Sequence, residues 1–240
     1  MELKGKTALV TGGTDGIGLE IARQMMAKGA NVIVCGRRED ALASARQEGL
    51  EAIQADLSTA SGCAGLAAAL SGRELDILIN NAGMSGNFGP GEPLDLALTD
   101  QAIFLNLNAP LHLIGHLLPG LLQRPEASIV NVTSGLAIAP RAGGPVYCAT
   151  KAALRSFTQS LRHNLRDTKV HVIEALPPVV DTAMTRGRVN GKKMSAKGCA
   201  AEIVHAIATN APEANVGMVK LLRLVYSISP ALAQRIMIRF

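Results

Sequence analysis

Short apolar runs alternate with helical patterns along most of the chain. Runs rich in valine, isoleucine and leucine are typical of buried strands, whereas apolar residues at helical spacing fill the segments between them. The predicted strands cover residues 7–11, 31–35, 51–55, 75–80, 128–133 and 169–175, and the predicted helices cover 17–28, 39–48, 62–70, 96–109, 111–122 and 145–166. This order predicts repeated β-α-β units, and therefore an α/β fold in which helices cover a parallel sheet.

A single domain over residues 1–240 is the expected organisation, because α/β folds of this length commonly form one unit around one core. Tryptophan is absent and aromatic residues make up 2% of the chain, so aliphatic side chains must build that core. The net charge of +5 permits an acidic partner without requiring one. No segment reads as a nucleic-acid-binding module or as a membrane span.

The four cysteines show no spacing that is typical of a metal site, so no metal is expected. No segment reads as a signal peptide, which predicts reduced thiols in a cytoplasmic protein. Cys148, beside Tyr147, is interpreted as a small packing residue, with a reactive thiol as the alternative. The cysteines are Cys35, Cys63, Cys148 and Cys199.

A glycine-rich turn, TGGTDGIG at residues 11–18, joins the first predicted strand to the first predicted helix. Its glycines permit a sharp turn, a close approach of a diphosphate to the backbone and tight packing of the helix, whose N-terminus faces the anion. Glycines also close ordinary turns, but the position between a strand and a helix predicts a dinucleotide site in a Rossmann-like doubly wound sheet with three layers, α/β/α. The expected cofactor contacts here are Gly12, Thr14, Asp15, Gly16, Ile17 and Gly18.

Two arginines, Arg37 and Arg38, follow the second predicted strand, where an acidic residue would hydrogen-bond a ribose 2′-hydroxyl and repel a 2′-phosphate. Guanidinium groups bind phosphate oxygens bidentately. This sequence therefore predicts NADP(H) in preference to NAD(H). The alternative is a basic first turn of a solvated helix, which fits Arg38 better than Arg37.

Tyr147 and Lys151 are four residues apart in the longest predicted helix, so their side chains lie on one face. A free phenol titrates near ~10, and a cation within a few ångströms favours the phenolate. We therefore expect Lys151 to lower the pKa of Tyr147 and make it a usable general acid and base. The same spacing also arises by chance, so the pair needs support from the rest of the chain.

That support comes from motifs in a familiar order. After the glycine turn come NNAG at residues 80–83, Ser134 beyond the fifth predicted strand, and the Tyr147/Lys151 pair. In order and spacing these motifs resemble the short-chain dehydrogenase/reductase family over most of residues 6–182. The resemblance implies a catalytic tetrad of Asn108, Ser134, Tyr147 and Lys151. Taken singly, Ser134 also fits a turn hydroxyl, and Asn108 fits a helix cap before Pro110.

Further cofactor contacts follow from the same resemblance. Family members carry PGxxxT after the sixth strand, whereas this chain has PPVVDT at residues 177–182. Pro178 in place of glycine removes an amide donor and stiffens the chain, which leaves the position of the nicotinamide end open. Together with Tyr147 and Lys151, the contacts implied are Asp56, Leu57, Asn81, Ala82, Gly83, Pro177, Val180 and Thr182.

The implied activity is NADPH-dependent reduction of a carbonyl to an alcohol. Tyr147 would donate the proton, Ser134 would hold the carbonyl oxygen, Lys151 would also bind the nicotinamide ribose, and Asn108 would hold a water for proton return. The resemblance implies a small carbonyl or alcohol substrate and a homodimer or homotetramer, joined through helices near residues 96–122 and 145–166. Two alternatives stay open: a reductase of 3-oxoacyl thioesters on a carrier protein, and a sensor or scaffold that binds NADP(H) without turnover.

Three loops are expected to form the substrate pocket: residues 84–95, 135–146 and 183–198, the last of which would be a lid. The first two predict a mostly apolar pocket with Met84, Phe88, Leu136 and Ile138. The lid is basic, which fits an anionic substrate or an acidic carrier protein. The alternative is a solvated lid whose charges only aid solubility. Its basic residues are Arg186, Arg188, Lys192, Lys193 and Lys197.

The C-terminal tail, residues 220–240, departs from the common family pattern. Residues 216–219 form at most a short strand, and the apolar residues beyond predict an amphipathic helix broken at Pro230. We expect this helix to pack at a subunit interface or over the substrate cleft, with attachment to a membrane surface as the alternative. Together with the segments SGLA, YCATKAAL, SLRHNLRDT and PPVVDT, the tail resembles a bacterial subgroup of the family that is sometimes found with D-alanyl-lipoteichoic-acid genes. Its apolar residues are Leu221, Leu222, Val225, Leu232, Ile236 and Ile238.

Overall fold

The computed structural model describes residues 1–86, 93–187 and 193–239. Its strands are β1 (Thr7–Thr11), β2 (Asn31–Gly36), β3 (Glu51–Gln54), β4 (Ile77–Asn80), β5 (Ala127–Val132), β6 (Val170–Leu176), β7 (Val180–Asp181), β8 (Met194–Ser195) and β9 (Glu213–Asn215). Seven of these form one parallel sheet in the order β3-β2-β1-β4-β5-β6-β9, and β7 pairs with β8 in a second, small sheet.

Helices cover both faces of the large sheet. They are α1 (Gly16–Ala27), α2 (Glu39–Gln47), α3 (Ala60–Ala69), α4 (Leu96–Ile103), α5 (Ala109–Leu121), α6 (Pro145–Asn164), α7 (Ala196–Ala208), α8 (Val219–Ile228) and α9 (Pro230–Met237). One core joins α1 and α7 to the sheet, with Ile21, Met25 and Ile203 among its members. A second core on the opposite face contains Leu66 of α3, Leu113 of α5 and Leu161 of α6. The predicted three-layer, Rossmann-like α/β/α fold is confirmed.

The order of the strands creates a crevice at the centre of the sheet. The chain runs from β1 outward through β2 to β3, and then returns to the other side of β1 as β4. In doubly wound sheets, ligands bind beyond the carboxyl ends of the strands at such a reversal. The loops after β1 and β4 therefore lie where a cofactor is expected.

Most predicted elements form within a few residues of their expected bounds, but two predictions need correction. The helix predicted over residues 96–109 is interrupted, because α4 passes into a π-helical turn, Phe104–Asn108, before α5 begins. The short strand allowed for residues 216–219 lies instead at Glu213–Asn215, where it pairs with β6, and Val219 already begins α8.

The tail folds as the predicted broken helix, with α8 and α9 meeting before Pro230. Val219 is buried against Ile138, so α8 covers the loop that follows Ser134. The outward faces of both helices expose a row of large apolar side chains: Met218, Leu221, Leu224, Ile228, Leu232, Ile236 and Ile238. Within the described parts of the chain, none of the helices has the length and hydropathy required to span a bilayer.

The four cysteines are buried free thiols. Burial raises the pKa of Cys35 and of Cys199 to about 12, and that of Cys63 to about 11, so these thiols stay protonated at neutral pH. Cys148 is buried beside Tyr147, and its Sγ lies 3.9 Å from the carbonyl oxygen of Arg141. All four cysteines therefore pack in the interior.

Candidate active site

The loops after β1 and β4 are joined by hydrogen bonds at the crevice. The hydroxyl of Thr11 accepts the backbone N–H groups of Asn81 and Ala82, each at 3.0 Å. The side-chain amide of Asn81 in turn donates to the carbonyl oxygens of Thr11 (2.9 Å) and Gly12 (3.2 Å). These bonds fix the glycine turn against the NNAG loop, so the predicted contacts in both segments line one cleft.

The glycine turn has the shape that a dinucleotide requires. Gly12 and Gly16 have φ values of 60° and 54°, a backbone region that favours glycine. A Cβ on Gly18 would collide with the carbonyl oxygen of Gly12, so a side chain there would push α1 away from the turn. Asp15 caps α1 by accepting the N–H of Gly16 at 2.7 Å. A methyl carbon of Thr182 lies 3.0 Å from the Cβ position of Gly16, so Thr182 also reaches this cleft.

The two arginines after β2 differ in their surroundings. Arg38 is exposed and binds Asp40 through Nε (3.1 Å) and a terminal nitrogen (2.6 Å). The guanidinium of Arg37 is also exposed, and it has no ion-pair partner among the described residues. The backbone carbonyl of Arg37 accepts a hydrogen bond from Gln54 at 3.0 Å, which fixes the loop. Arg37 is therefore the arginine whose charge remains available to a phosphate.

Asp56 and Leu57 follow β3 at the same edge of the sheet. The exposed carboxylate of Asp56 accepts hydrogen bonds from the backbone (3.0 Å) and hydroxyl (2.8 Å) of Ser58. These bonds lower the pKa of Asp56, with a further contribution from the charge of Arg37. Leu57 is buried in the core below. At the opposite wall, the hydroxyl of Thr14 lies 2.8 Å from the Cβ position of Gly36.

Lys151 lies inside the protein, below Tyr147. Its side chain is 4% exposed, and its Nζ donates to the carbonyl oxygen of Val132 at 2.8 Å. The same Nζ lies 5.8 Å from the centre of the Tyr147 ring. Burial lowers the pKa of Lys151 to about 8. The predicted pair is therefore formed, on one face of α6.

The pKa of Tyr147 differs from the expected one. Burial raises it to about 12, a larger effect than the lowering by hydrogen bonding to Ser134 and by the charge of Arg141. The neighbouring Cys148 raises it further. The prediction that Lys151 lowers this pKa is therefore wrong for the protein without a cofactor. Desolvation of a phenolate outweighs the nearby charges here.

Ser134 stands at the end of β5, facing Tyr147. It is 7% exposed, and its Oγ accepts the backbone N–H of Leu136 at 3.1 Å, which starts a short 3₁₀ turn, Gly135–Ala137. The N–H of Gly135 donates to the carbonyl oxygen of Pro177 at 2.9 Å, so the ends of β5 and β6 are tied together beside the hydroxyl. The hydroxyls of Ser134 and Tyr147 are hydrogen-bonded to each other.

The structure places a different asparagine beside this site from the one predicted. Asn108 lines a depression on the outer face of α5 with Leu111, His112, Gly115 and His116. Residues two positions apart on a helix face nearly opposite directions, and the π-helical turn turns Asn106 inward. Asn108 therefore lies away from the cleft, contrary to its predicted place, and Asn106 lies there instead.

Asn106 is fully buried, and all of its described contacts lie at the cleft. Its Oδ1 accepts the N–H of Met84 (2.8 Å), and its Nδ2 donates to the carbonyl oxygen of Met84 (2.8 Å) and to the hydroxyl of Thr150 (3.1 Å). A Cβ on Gly83 would lie 3.0 Å from Asn106 Oδ1 and 3.6 Å from Lys151 Nζ. The π-helical turn determines which asparagine faces the cleft, and hydrophobic periodicity in the sequence does not reveal that turn.

The segment after β6 brings Thr182 to the cleft, whereas the side chain of Val180 belongs to the core that contains α1 and α7. Val180 is buried and pairs with Met194 in the small sheet. The carbonyl oxygen of Pro177 is occupied by the amide of Gly135. Pro178 packs 3.6 Å from the Cβ position of Gly217, so the ring that replaces the usual glycine contacts the segment before α8.

The predicted lid is only partly described. Lys193 Nζ donates to the carbonyl oxygen of Thr185 at 2.7 Å, whereas Arg186 and Lys197 are exposed. The last residues predicted as lid, 196–198, belong to the first turn of α7. The predicted lid residues Arg188 and Lys192, and the predicted pocket residue Phe88, lie outside the described residues.

Comparisons with known proteins agree with this arrangement. A family model described as short chain dehydrogenase matches residues 6–193. The chain is 43% identical over 208 residues to the uncharacterized oxidoreductase DltE of Bacillus subtilis (strain 168), covering 84% of this chain and 82% of that protein. It is 34% identical over 177 residues to the NADP-dependent 3-hydroxy acid dehydrogenase YdfG of Salmonella typhimurium, covering 72% of this chain and 71% of that protein.

A solved structure extends the similarity to the whole fold. A short chain dehydrogenase from Burkholderia cenocepacia J2315 in complex with NADP superposes with a TM-score of 0.89, at 24% identity, over 99% of each chain. The relationship to DltE supports the predicted subgroup. The extent of the family match and the shared fold lead to one conclusion: the chain belongs to the short-chain dehydrogenase/reductase family of oxidoreductases.

Proposed function

We propose that the protein is an NADP(H)-dependent oxidoreductase that interconverts a carbonyl compound and an alcohol, with Tyr147 as general acid and base. The observation that carries this proposal is the convergence of Tyr147, Ser134 and Lys151 beside the glycine turn. The sheet positions these groups at the carboxyl ends of its strands, where doubly wound folds bind their ligands. The cofactor, when bound, supplies or accepts the hydride.

Each residue has a role that its surroundings permit. Ser134 donates a hydrogen bond to the substrate oxygen, and Tyr147 transfers the proton to that oxygen. Lys151 binds the ribose hydroxyls of the nicotinamide half, because its ammonium faces the cleft below the phenol. Asn106, through its hydrogen bonds to Met84 and Thr150, holds the NNAG loop and α6 in register at the proton-transfer site.

Turnover by Tyr147→Phe tests the acid-base role. Consumption of NADPH should be measured against a panel of ketones, aldehydes and 3-oxo acids. We expect the variant to lose turnover, since phenylalanine has no proton to donate, but to bind NADPH as the wild type does. Tyr226→Phe in α8 is the matched control and should keep turnover. Full activity of Tyr147→Phe would refute the role, and tight NADPH binding by an inactive wild type would favour a sensor or scaffold.

NADP(H) is preferred because Arg37 offers an unpaired guanidinium at the end of β2, where a 2′-phosphate is expected. The YdfG relative is named as NADP-dependent. Arg37→Asp should raise the KM for NADPH by about tenfold or more, with little effect on the KM for NADH. Arg38→Asp should have a smaller effect, because the guanidinium of Arg38 already binds Asp40. Equal changes for both cofactors would refute the assignment.

Association into a homodimer or homotetramer is part of the proposal. The outer face of α5, where Asn108, His112 and His116 surround a depression, is the surface that we expect to meet a second copy. Light scattering at micromolar concentration measures the mass in solution. A monomer would refute this part of the proposal without affecting the chemistry.

A further inference from the structure

Arg141 is an arginine without a partner in the loop between Ser134 and Tyr147. It is half-buried, and its guanidinium makes no hydrogen bond or ion pair with the residues that the structure describes. Its Nε is fully buried and unsatisfied. By contrast, the half-buried Arg124 and the buried Arg155 bind acidic side chains at 2.9 Å and 2.7 Å. A buried donor that lacks a partner is costly, which points to a ligand.

The position of Arg141 relates it to the proton-transfer site. Its Nε and one terminal nitrogen lie 3.7 Å and 3.9 Å from the Cβ position of Gly144. Gly144 is the N-cap of α6, which begins without a side-chain cap, and Tyr147 lies in the first turn of that helix. The positive end of the helix and the guanidinium therefore face the same space. The charge of Arg141 is also close enough to lower the pKa of Tyr147, against the larger opposing effect of burial.

We propose that Arg141 binds the carboxylate of the substrate, so that the enzyme acts on hydroxy acids and the matching oxo acids. This inference rests on the proposed function, because it assigns the substrate class of the same site. A planar guanidinium matches a carboxylate bidentately, and one unpaired cation balances one negative charge. Among the other cations described near the cleft, Lys151 donates to Val132, Lys193 donates to Thr185, and Arg37 is assigned above to the 2′-phosphate of the cofactor.

A pair of compounds that differ only in charge tests this proposal. With NADPH, reduction of 3-oxobutanoate should be compared with reduction of its methyl ester. Arg141→Gln should lower kcat/KM for the acid by about ten- to a hundredfold, the cost of one hydrogen-bonded charge, and leave the ester within about twofold. Arg141→Lys should recover part of the loss. Arg166→Gln, an exposed arginine at the far end of the same helix region, should change neither rate.

A binding measurement separates this inference from the proposed function. Calorimetric titration of 3-hydroxybutanoate into the NADPH-loaded protein should show tighter binding than the ester, and Arg141→Gln should abolish that difference. If neutral carbonyls turn over but Arg141→Gln reduces acid and ester equally, the carboxylate site is refuted and the proposed function stands. If acid-selective binding depends on Arg141 but nothing turns over, the proposed function is refuted and the carboxylate site stands. Absence of acid-selective binding in the wild type would overturn the carboxylate site.

Discussion

Replacement of Arg155 by methionine should destabilise the protein, and more so at high pH than at low pH. Arg155 binds Glu174, whose side chain is 0% exposed, at 2.7 Å, and the second oxygen of Glu174 accepts the hydroxyl of Thr133 at 2.8 Å. Arg155 also lies 3.7 Å from Glu213. This network crosses from α6 through β6 to the residue next to Ser134, so its loss affects both the core and the site.

The expected loss of unfolding free energy follows from Glu174, which has no charged partner at hydrogen-bond distance in the variant. Loss of one partner of a buried ion pair costs about 3–5 kcal/mol, because the remaining charge is uncompensated. Burial already raises the pKa of Glu174 above 4.5, although the charge of Arg155 and a hydrogen bond from Thr133 act against the rise. The methionine variant removes the larger of these two opposing effects, the charge of Arg155. The native variant then holds a proton that the unfolded chain has released. Its stability therefore falls as pH rises above 4.5, by about 1.4 kcal/mol per pH unit, until Glu174 ionises in the folded state.

Urea unfolding followed by circular dichroism, at pH 5 and at pH 8, measures this difference. We expect the loss relative to the wild type to be near 3–5 kcal/mol at pH 8 and clearly smaller at pH 5. A double variant, Arg155→Met with Glu174→Leu, removes both charges, so its loss should be smaller at pH 8 and should not increase with pH. Equal losses for Arg155→Met at the two pH values would refute the reasoning.

Three further changes test individual contacts at the site. Asn106→Ala should lower turnover about tenfold or more, because it loses its bonds to the cleft, whereas Asn108→Ala should stay within about twofold. Gly18→Ala should weaken NADPH binding in a fluorescence titration, since its methyl group would collide with the turn; Gly65→Ala, in open space, should not. Between pH 8 and 10 the unfolding free energy of Lys151→Met should fall more steeply than that of the wild type, because native Lys151 loses its proton near 8 and the unfolded lysine near 10.5, whereas the buried cysteines and Tyr147 lower the stability of both proteins alike.

The sequence was sufficient for the fold because hydrophobic periodicity reports directly which segments are buried on both faces. The glycine turn could also be predicted from the sequence, because each glycine is required by the backbone: Gly12 and Gly16 adopt positive φ, and Gly18 has no space for a side chain. Asn106 and Asn108 could not be separated in this way. Both stand in one helical pattern, and their directions depend on the π-helical turn, which releases one backbone hydrogen bond and has no simple sequence signature.

The ionisation of the site was also beyond the sequence. A four-residue spacing shows that Tyr147 and Lys151 are neighbours, but the sign of a pKa shift depends on the balance between charge and desolvation. The same burial that lowers the pKa of Lys151 raises that of Tyr147. Arg141 could not be predicted as a site residue either, because a single arginine in a loop is usually exposed to solvent. Only the folded structure shows that its Nε is buried without a hydrogen-bond partner.

These shifts favour one direction of proton transfer. With a pKa of about 12, Tyr147 is protonated throughout the neutral range, so it enters the reaction as a proton donor, the form that carbonyl reduction needs. Alcohol oxidation needs the phenolate, which at pH 7 is only about one part in 10⁵ at that pKa. A positive charge near the ring is required to form it, and Arg141 is one of the two groups that already lower this pKa. A carboxylate on Arg141 would neutralise that charge and further favour the neutral phenol. The electrostatics of an anionic substrate and those of a reductase are therefore mutually consistent in this site.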